Sequence, residues 1–189
     1  ADAAAFRRDP QRLVAWCRDS LTLRPELCTV STTISPEGVW RSRTADKPSR
    51  KIFFVAAARS LGIPAWIDPV TGNLFYRHAG KDVPVDFESA NDRQMETGRL
   101  KLRYEPIPRL DDPEYFRHFT LSRFDGQSFA LLNYPDFEPW SARFDTPTDL
   151  ETGYYMLATG SRLADGSVLG NVSFFNVRPD STTDTDMTM

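Results

Sequence analysis

The chain has 189 residues, of which 40% are hydrophobic and 12% aromatic, a composition typical of a globular protein rather than a disordered one. This length accommodates one large domain or two small ones. The formal net charge of -3 and the scattered basic residues argue against a nucleic-acid surface. No apolar run is long enough for a transmembrane helix. We therefore expect no nucleic-acid partner and no membrane span in this segment.

The first predicted helix covers Pro10–Leu21, where apolar residues recur at helical spacing. Asp9 is expected to be its N-cap, with Pro10 at the first helical position. The following segment, Leu23–Pro48, is predicted to be a long and mostly irregular connection.

Two cysteines are too few for a disulfide scaffold. Cys17 lies in the predicted helix and Cys28 in the connection, so they could form a bridge if the chain folds back. They could also be two partly buried, small apolar residues, which is the interpretation that the sequence favours.

A second helix is predicted over Arg50–Leu61, which is apolar almost all round and is therefore expected to be buried on every side. Ser49 is the expected cap of this helix. The helix ends at Gly62 and leads directly into a predicted strand over Ile63–Asp68. A β-hairpin is predicted next, with strands at 73–77 and 82–88 and a turn at 78–81.

This order of helix, R-x-x-G-I-P-A (Arg59–Ala65), strand, and a hairpin ending in V-P-V-D (Val83–Asp86) resembles the core of the transglutaminase-like, or papain-like, fold. In that family a nucleophilic cysteine lies at the helix N-terminus, where the helix dipole favours the thiolate. A histidine begins the hairpin, and an aspartate at its end completes the triad. The resemblance covers roughly residues 9–88 and implies a partial transglutaminase-like domain of helices and antiparallel sheet.

One of the three catalytic positions of the family is matched, by Asp86. The cysteine position falls at or near Lys47, and the histidine position falls near Gly72 or Asn73. His78 comes several residues too late in the chain. The resemblance therefore implies a pseudoenzyme, an enzyme scaffold without its nucleophile and base.

The chain after Glu88 reads as strands and turns. Ser89–Gly98 is a predicted linker or short helix, and Arg99–Glu105 is a strand with alternating apolar residues. Asp125-Gly126 and Ala164-Asp165-Gly166 are hairpin turn signals, and Ser181–Met189 could be a final edge strand. Six or seven short strands predict a β-sandwich of the immunoglobulin or transthyretin type. The fold class is thus α+β, with a transglutaminase-like domain over residues 1–92 and a sandwich over 96–189.

Polar residues are dense around the vacated catalytic position. We expect Arg43 and Arg50 to hold carboxylates such as Asp46 and Asp86 in an ion-pair network, because an unpaired buried charge is unfavourable. The same groups could instead bind a peptide or glycan. The candidate binding residues are Arg43, Asp46, Arg50, Asp68 and Tyr76, with Arg41 and Ser49 nearby, and Asp86 is the candidate catalytic residue by family position.

Three functional hypotheses remain. The first is a non-catalytic binding or scaffolding module of a larger, bacterial-type extracytoplasmic protein, periplasmic or at the cell surface, with a peptide, a glycan or neighbouring domains as partners. The second is an active cysteine hydrolase or acyl transferase using Cys28 or Cys17, with His78 or His118 as base. The third is a carbohydrate-binding module with tryptophans exposed on the sandwich. No cofactor is expected, and no metal site either, since the two histidines lie forty residues apart.

Overall fold

The computed structural model describes residues 3–24, 32–88 and 96–189, with five helices and twelve strands among them. The protein is therefore of the mixed α+β class. The chain divides into two compact units, residues 1–94 and 95–189. All described helices of more than four residues lie in the first unit, and the second is mostly strand.

The described residues of the first unit form four helices and five short strands. The helices are α1 (Ala3–Arg8), α2 (Gln11–Ser20), α3 (Pro36–Ser42) and α4 (Lys47–Ser60), and the strands are β1 (Thr22–Leu23), β2 (Thr44–Ala45), β3 (Ala65–Ile67), β4 (Leu74–His78) and β5 (Lys81–Val85).

The predicted first helix is confirmed as α2, but its predicted cap is wrong by one position. Pro10 is the N-cap residue and provides no side-chain hydrogen bond. Asp9 still contributes, because its Oδ1 atom accepts a hydrogen bond from the Gln11 backbone N–H at 3.2 Å. A carboxylate just before a helix is favoured there by the unpaired N–H groups of the first turn.

The connection predicted to be irregular contains regular structure. Helix α3 is capped by Ser35, whose Oγ atom accepts a hydrogen bond from the Gly38 N–H. Strands β1 and β2 pair in parallel, with Thr22 opposite Thr44. A helix of seven residues that contains a glycine is too short to show a clear period in the sequence, which explains the error. Residues 25–31 of the connection, including Cys28, lie outside the described part of the chain.

Helix α4 begins three residues earlier than predicted. Its N-cap is Asp46, so the assignment of Ser49 as the cap was wrong. Pro48 suits the first turn because its missing N–H would have no partner within the helix. The prediction of burial on every side is confirmed only in part. No residue between Ser49 and Ala58 is exposed, but Ile52, Val55, Ala56 and Ala57 are half-buried. No helix in the described ranges has the length and apolar character needed to cross a membrane.

The strand after Gly-Ile-Pro-Ala pairs with the hairpin that follows it. In β3, Ala65 lies opposite Tyr76 of β4, and Tyr76 in turn lies opposite Val83 of β5. Ala79 and Gly80 both have positive φ angles, of 50° and 76°, and form the two-residue turn of the hairpin. The buried side chains of this sheet share one hydrophobic core with α2, α3 and α4.

The second unit contains two sheets and one short helix. Its elements are β6 (Thr97–Arg103), β7 (Phe119–Phe124), β8 (Phe129–Leu131), α5 (Trp140–Arg143), β9 (Thr148–Glu151), β10 (Gly153–Arg162), β11 (Val168–Val177) and β12 (Thr182–Asp186). One sheet has the order β11-β10-β7-β8, and the other has the order β12-β6-β9.

Several predictions about this unit are confirmed. Leu100, Leu102 and Tyr104 are all buried, as their alternation indicated. The two hairpins form at the predicted turns, as β7–β8 and β10–β11. The last strand, β12, lies at a sheet edge and pairs in parallel with β6.

Tyr115 is fully buried in the second unit. Its hydroxyl accepts a hydrogen bond from the Leu121 N–H and donates one to the Leu132 carbonyl. A buried tyrosine needs such partners to avoid a desolvation penalty.

Candidate functional site

In the transglutaminase-like family that the sequence resembles, the cysteine is expected at the start of the helix that would correspond to α4. Lys47 is the first helical residue and is exposed. Asp46, only 1% exposed, accepts a hydrogen bond at Oδ1 from the Ser49 N–H at 2.6 Å. The Ser49 hydroxyl is fully buried and accepts a hydrogen bond from the Ile34 N–H at 2.8 Å. Asp46 and Ser49 thus accept hydrogen bonds from backbone N–H groups at the start of the helix. The hydroxyl of Ser49 is buried and is not positioned to attack a substrate.

Arg50 is buried but reaches a carboxylate at the surface. Its Nη2 atom lies 2.5 Å from Oε1 of Glu88, and its guanidinium lies over the ring of Phe87. The expected pairing of Arg50 with Asp46 or Asp86 was wrong, since no ion pair among the described residues joins them. Glu88 was not among the candidate residues. The feature of the sequence that could have identified Glu88 was its position, as a carboxylate at the end of the predicted hairpin strand.

Arg43 interacts with aromatic rings rather than with a carboxylate. It follows α3 in the left-handed conformation, with φ of 56°. Its guanidinium lies 3.8 Å from the ring centre of Trp40 and 4.9 Å from that of Trp16. The expected ion pair of Arg43 with Asp46 or Asp86 is absent from the described part of the chain. Stacking on an indole suits the planar and weakly hydrated guanidinium.

Three buried polar atoms around the start of α4 have no hydrogen-bond partner among the described residues. They are Oδ2 of Asp46, Nη1 of Arg43 and Nε of Arg50. Buried polar groups are normally paired, because desolvation without compensation is unfavourable.

The other three candidate residues have local structural roles. Asp68 accepts hydrogen bonds at Oδ1 from the N–H groups of Val70 and Thr71, and so holds the turn before β4. Tyr76 is buried, with its ring 6.3 Å from that of Phe54. Asp86 accepts a hydrogen bond at Oδ1 from the Glu88 N–H at 2.9 Å. The structure thus brings Arg50 and Glu88 together and gives Asp68 and Asp86 turn-stabilising contacts.

Among the described residues, Cys17, His78 and His118 are those on which a cysteine-enzyme mechanism would depend. Cys17 is a free cysteine with no exposed surface, and burial raises its pKa to about 12. His78 is exposed at the end of β4, where it lies opposite Lys81. His118 belongs to the second unit, and its Nδ1 atom accepts a hydrogen bond from the Glu114 N–H. Partial burial lowers the pKa of His118.

An aromatic groove lies in the first unit, and sequence reasoning missed it. It has a volume of about 370 Å³ and is lined almost entirely by apolar side chains. The rings of Trp16 and Trp40 stack with centres 5.6 Å apart, and the ring of Phe53 lies 6.5 Å from that of Trp40. Trp40 is 47% exposed, and Arg43 covers part of it. The lining comes from all four helices and includes Phe6, Leu13, Trp16, Pro36, Trp40 and Phe53.

The tryptophan in the second unit, Trp140, is packed against its neighbours. The Nε1–H group of Trp140 donates a hydrogen bond to the Leu102 carbonyl at 2.8 Å, and its ring meets Tyr104 edge-on. These contacts give Trp140 a packing role.

The described residues contain no group of three or more histidine, cysteine, aspartate or glutamate side chains placed to hold a metal ion. Comparisons of the chain with protein-family models, with curated proteins and with solved structures each find no match.

Proposed function

We propose that the first unit is a non-catalytic, transglutaminase-like module that binds a peptide as part of a larger extracytoplasmic protein. The second unit is then a β-sandwich of the immunoglobulin or transthyretin type. The chain order of α4, β3 and the β4–β5 hairpin supports the first assignment, since the Gly-Ile-Pro-Ala strand pairs with the hairpin ending next to Asp86. The two sheets of four and three strands support the second.

The start of α4 is the observation that carries this proposal. A catalytic cysteine needs an accessible helix terminus that stabilises its thiolate. Here Lys47 occupies the first helical position, and the buried Asp46 caps the helix by accepting a hydrogen bond from the Ser49 N–H. The scaffold is therefore suited to binding and not to thiol chemistry.

The aromatic groove is the proposed binding site. Its volume is within the range of small ligand pockets, roughly 300–1,000 Å³, and suits one or two large side chains. The guanidinium of Arg43 lies beside the groove, over the ring of Trp40. Arg7 and Arg8 end helix α1, which also lines the groove. These charges favour a peptide in which an aromatic or aliphatic side chain is next to a carboxylate.

Calorimetric titration with two synthetic peptides tests the binding site. One is an acetylated and amidated hexapeptide of alternating phenylalanine and glutamate, and the other has glutamine in place of each glutamate. We expect the acidic peptide to bind more tightly. Trp40→Ala should weaken its binding by at least roughly tenfold, because exposed aromatic anchors carry much of the binding energy.

Trp66→Ala is the matched control. Trp66 lies on β3, stacks on Phe75 and does not line the groove, so this variant should bind the acidic peptide normally. Equal weakening by both substitutions, or no binding to either peptide, would refute the groove as a peptide site. Amine-dependent crosslinking of a glutamine peptide by the unmodified chain, abolished by Asp86→Ala, would refute the non-catalytic assignment.

A further inference from the structure

Strand β11 exposes large apolar side chains at the edge of the four-stranded sheet. Leu169 is 63% exposed, Val168 is 59% exposed, and Val172 and Phe174 are each 51% exposed. The ring of Phe174 stacks on that of Tyr154 in β10 with centres 5.8 Å apart. Val168, Val172 and Phe174 lie on one face of the strand and Leu169 on the other, because successive side chains of a strand alternate between its two faces. Exposed apolar side chains therefore flank this edge on both faces of the sheet.

The backbone of β11 is also open along this edge. Among the described residues β11 is paired in a ladder with β10 alone. The Leu163 N–H donates a hydrogen bond to the Ser167 carbonyl, which lies opposite it just beyond the end of the β10–β11 ladder. Hydrogen-bonded and non-hydrogen-bonded pairs alternate along an antiparallel ladder, so the odd-numbered residues of β11 are those hydrogen-bonded to β10. The N–H and C=O groups of the even-numbered residues, among them Gly170 and Val172, therefore point away from β10. Near the C-terminal end of β11, the Thr183 hydroxyl donates a hydrogen bond to the carbonyl of Asn176, an even-numbered residue whose carbonyl points away from β10.

The edge has none of the features that usually prevent strand pairing. The ten residues of β11, VLGNVSFFNV, include no charged residue and no proline. Natural sheet edges are normally protected by lysines, prolines, bulges or very short strands. The stretch from Val168 to Phe174, which precedes the Asn176 carbonyl bound by Thr183, is therefore expected to pair with another strand.

We propose that β11 forms an antiparallel pair with β11 of a second copy of this chain, around a two-fold axis at Val172. In this register Val172 lies opposite its own counterpart, and Gly170 lies opposite Phe174 of the other copy. A phenylalanine ring then covers the backbone exposed at a glycine, which is a stabilising cross-strand combination. The two four-stranded sheets join into a single sheet of eight strands.

The character of the strand supports a second copy as the occupant. Edge-to-edge pairing buries the outward-facing backbone of β11 and the parts of side chains such as Val172 and Phe174 that meet their cross-strand neighbours. An isologous pair uses the same surface twice, which this uncharged strand permits without charge repulsion.

Sedimentation velocity over a dilution series tests the proposal. The chain should show a reversible monomer–dimer equilibrium. Val172→Lys places two like charges opposite each other and should raise the dissociation constant by roughly a hundredfold. Phe137→Lys is the control, because Phe137 is 59% exposed elsewhere in the second unit and its replacement should leave the dimer intact.

Disulfide trapping provides a second readout that does not depend on the lysine variants folding. In a Cys28→Ser background, Val172→Cys should give a covalent dimer when treated with oxidised glutathione, since directly opposite residues have Cα atoms about 5.5 Å apart. Asn171→Cys is the matched control. In this register its Cα atom lies more than about 7 Å from its counterpart, so it should not crosslink.

Three results would overturn the proposal. The chain could remain monomeric at every concentration. The dissociation constant of the dimer could change equally in Val172→Lys and Phe137→Lys. Disulfide crosslinking could be as efficient at position 171 as at position 172. A monomer that binds an oligosaccharide such as cellohexaose, with binding lost on Phe174→Ala, would assign the exposed rings to a sugar instead.

Discussion

Asp46 caps helix α4 through a hydrogen bond from the Ser49 N–H to its Oδ1 atom, and both side chains are buried at the junction of α4 with the chain before it. The hydroxyl of Ser49 in turn accepts a hydrogen bond from the Ile34 N–H. The side chains of Asp46 and Ser49 thus accept hydrogen bonds from backbone N–H groups of two separate segments, the first turn of α4 and the chain that precedes α3. The start of α4, where the sequence resemblance predicted a catalytic position, is a structural junction.

Replacing Asp46 with alanine should lower the free energy of unfolding by about 1–2 kcal/mol, because the first turn of α4 loses its side-chain acceptor. Asp46→Asn should retain most of the stability, since an asparagine oxygen accepts the same hydrogen bond. Urea unfolding of the two variants measures the difference. Equal losses would show that the charge of Asp46, and not its hydrogen bond, stabilises the helix.

Glu88→Ala should destabilise the first unit by about 1.5–3 kcal/mol, because it leaves the buried guanidinium of Arg50 without the acceptor that it now has. Glu37→Ala removes the partner of Arg41 in a fully exposed ion pair and should change stability by less than about 0.5 kcal/mol. Chemical denaturation of both variants checks this. Similar small effects would mean that water already solvates the Arg50 guanidinium.

Burial raises the pKa of Cys17 from an ordinary value of 9.0 to about 12, so the folded protein holds a neutral thiol. The unfolded chain loses the thiol proton first as the pH rises. The contribution of Cys17 to stability is therefore complete below about pH 9 and is lost between about pH 9 and pH 12, with a slope of up to roughly 1.4 kcal/mol per pH unit. Stability measured from pH 7 to pH 10 should fall more steeply for the parent chain than for Cys17→Ala.

The same burial should protect Cys17 from alkylation. In a Cys28→Ser background, iodoacetamide should label the folded chain far more slowly than the urea-unfolded chain at pH 8, because the thiolate is scarce and enclosed. Mass spectrometry follows the reaction. Rapid labelling of the folded form would revive the cysteine-enzyme hypothesis.

Gly98→Ala should destabilise the second unit by more than about 2 kcal/mol. A Cβ atom at position 98 would lie 2.1 Å from the Arg178 carbonyl oxygen and 2.9 Å from Cγ1 of Val177, and the backbone contact cannot be relieved by a side-chain rotation. Gly160→Ala, also in a strand, meets its nearest atoms at 3.4 and 3.5 Å and serves as the control. Thermal unfolding followed by circular dichroism distinguishes the two, and a smaller effect at Gly98 would indicate that the β6 backbone can move.

Local physical chemistry accounts for the elements that the sequence predicted. Alternation in Arg99–Glu105 placed Leu100 and Leu102 in the core, because a strand turns successive side chains to opposite faces. Asp125-Gly126 marked a hairpin, because an aspartate and a glycine fit a tight turn. Helix α4 was recognised from its apolar length, although the capping residue was assigned three positions too late.

The candidate site depended on contacts between distant parts of the chain. Arg50 pairs with Glu88, 38 residues away, rather than with either nearby aspartate. Trp16, Trp40 and Phe53 come from three helices and form one groove only after those helices pack. A periodic pattern reports which face of an element is buried, but it contains no information about what that face contacts.

The amino-acid sequence alone determined the α+β class, the order of most elements and the absence of a cysteine at the start of α4, since these follow from local periodicity, turn chemistry and residue identity. The tertiary structure decided that Asp68 and Asp86 stabilise turns, that Arg43 stacks on Trp40, and that β11 lies at an open sheet edge. These properties depend on which surfaces meet across long sequence separations, and that outcome is set by packing and desolvation of the whole unit.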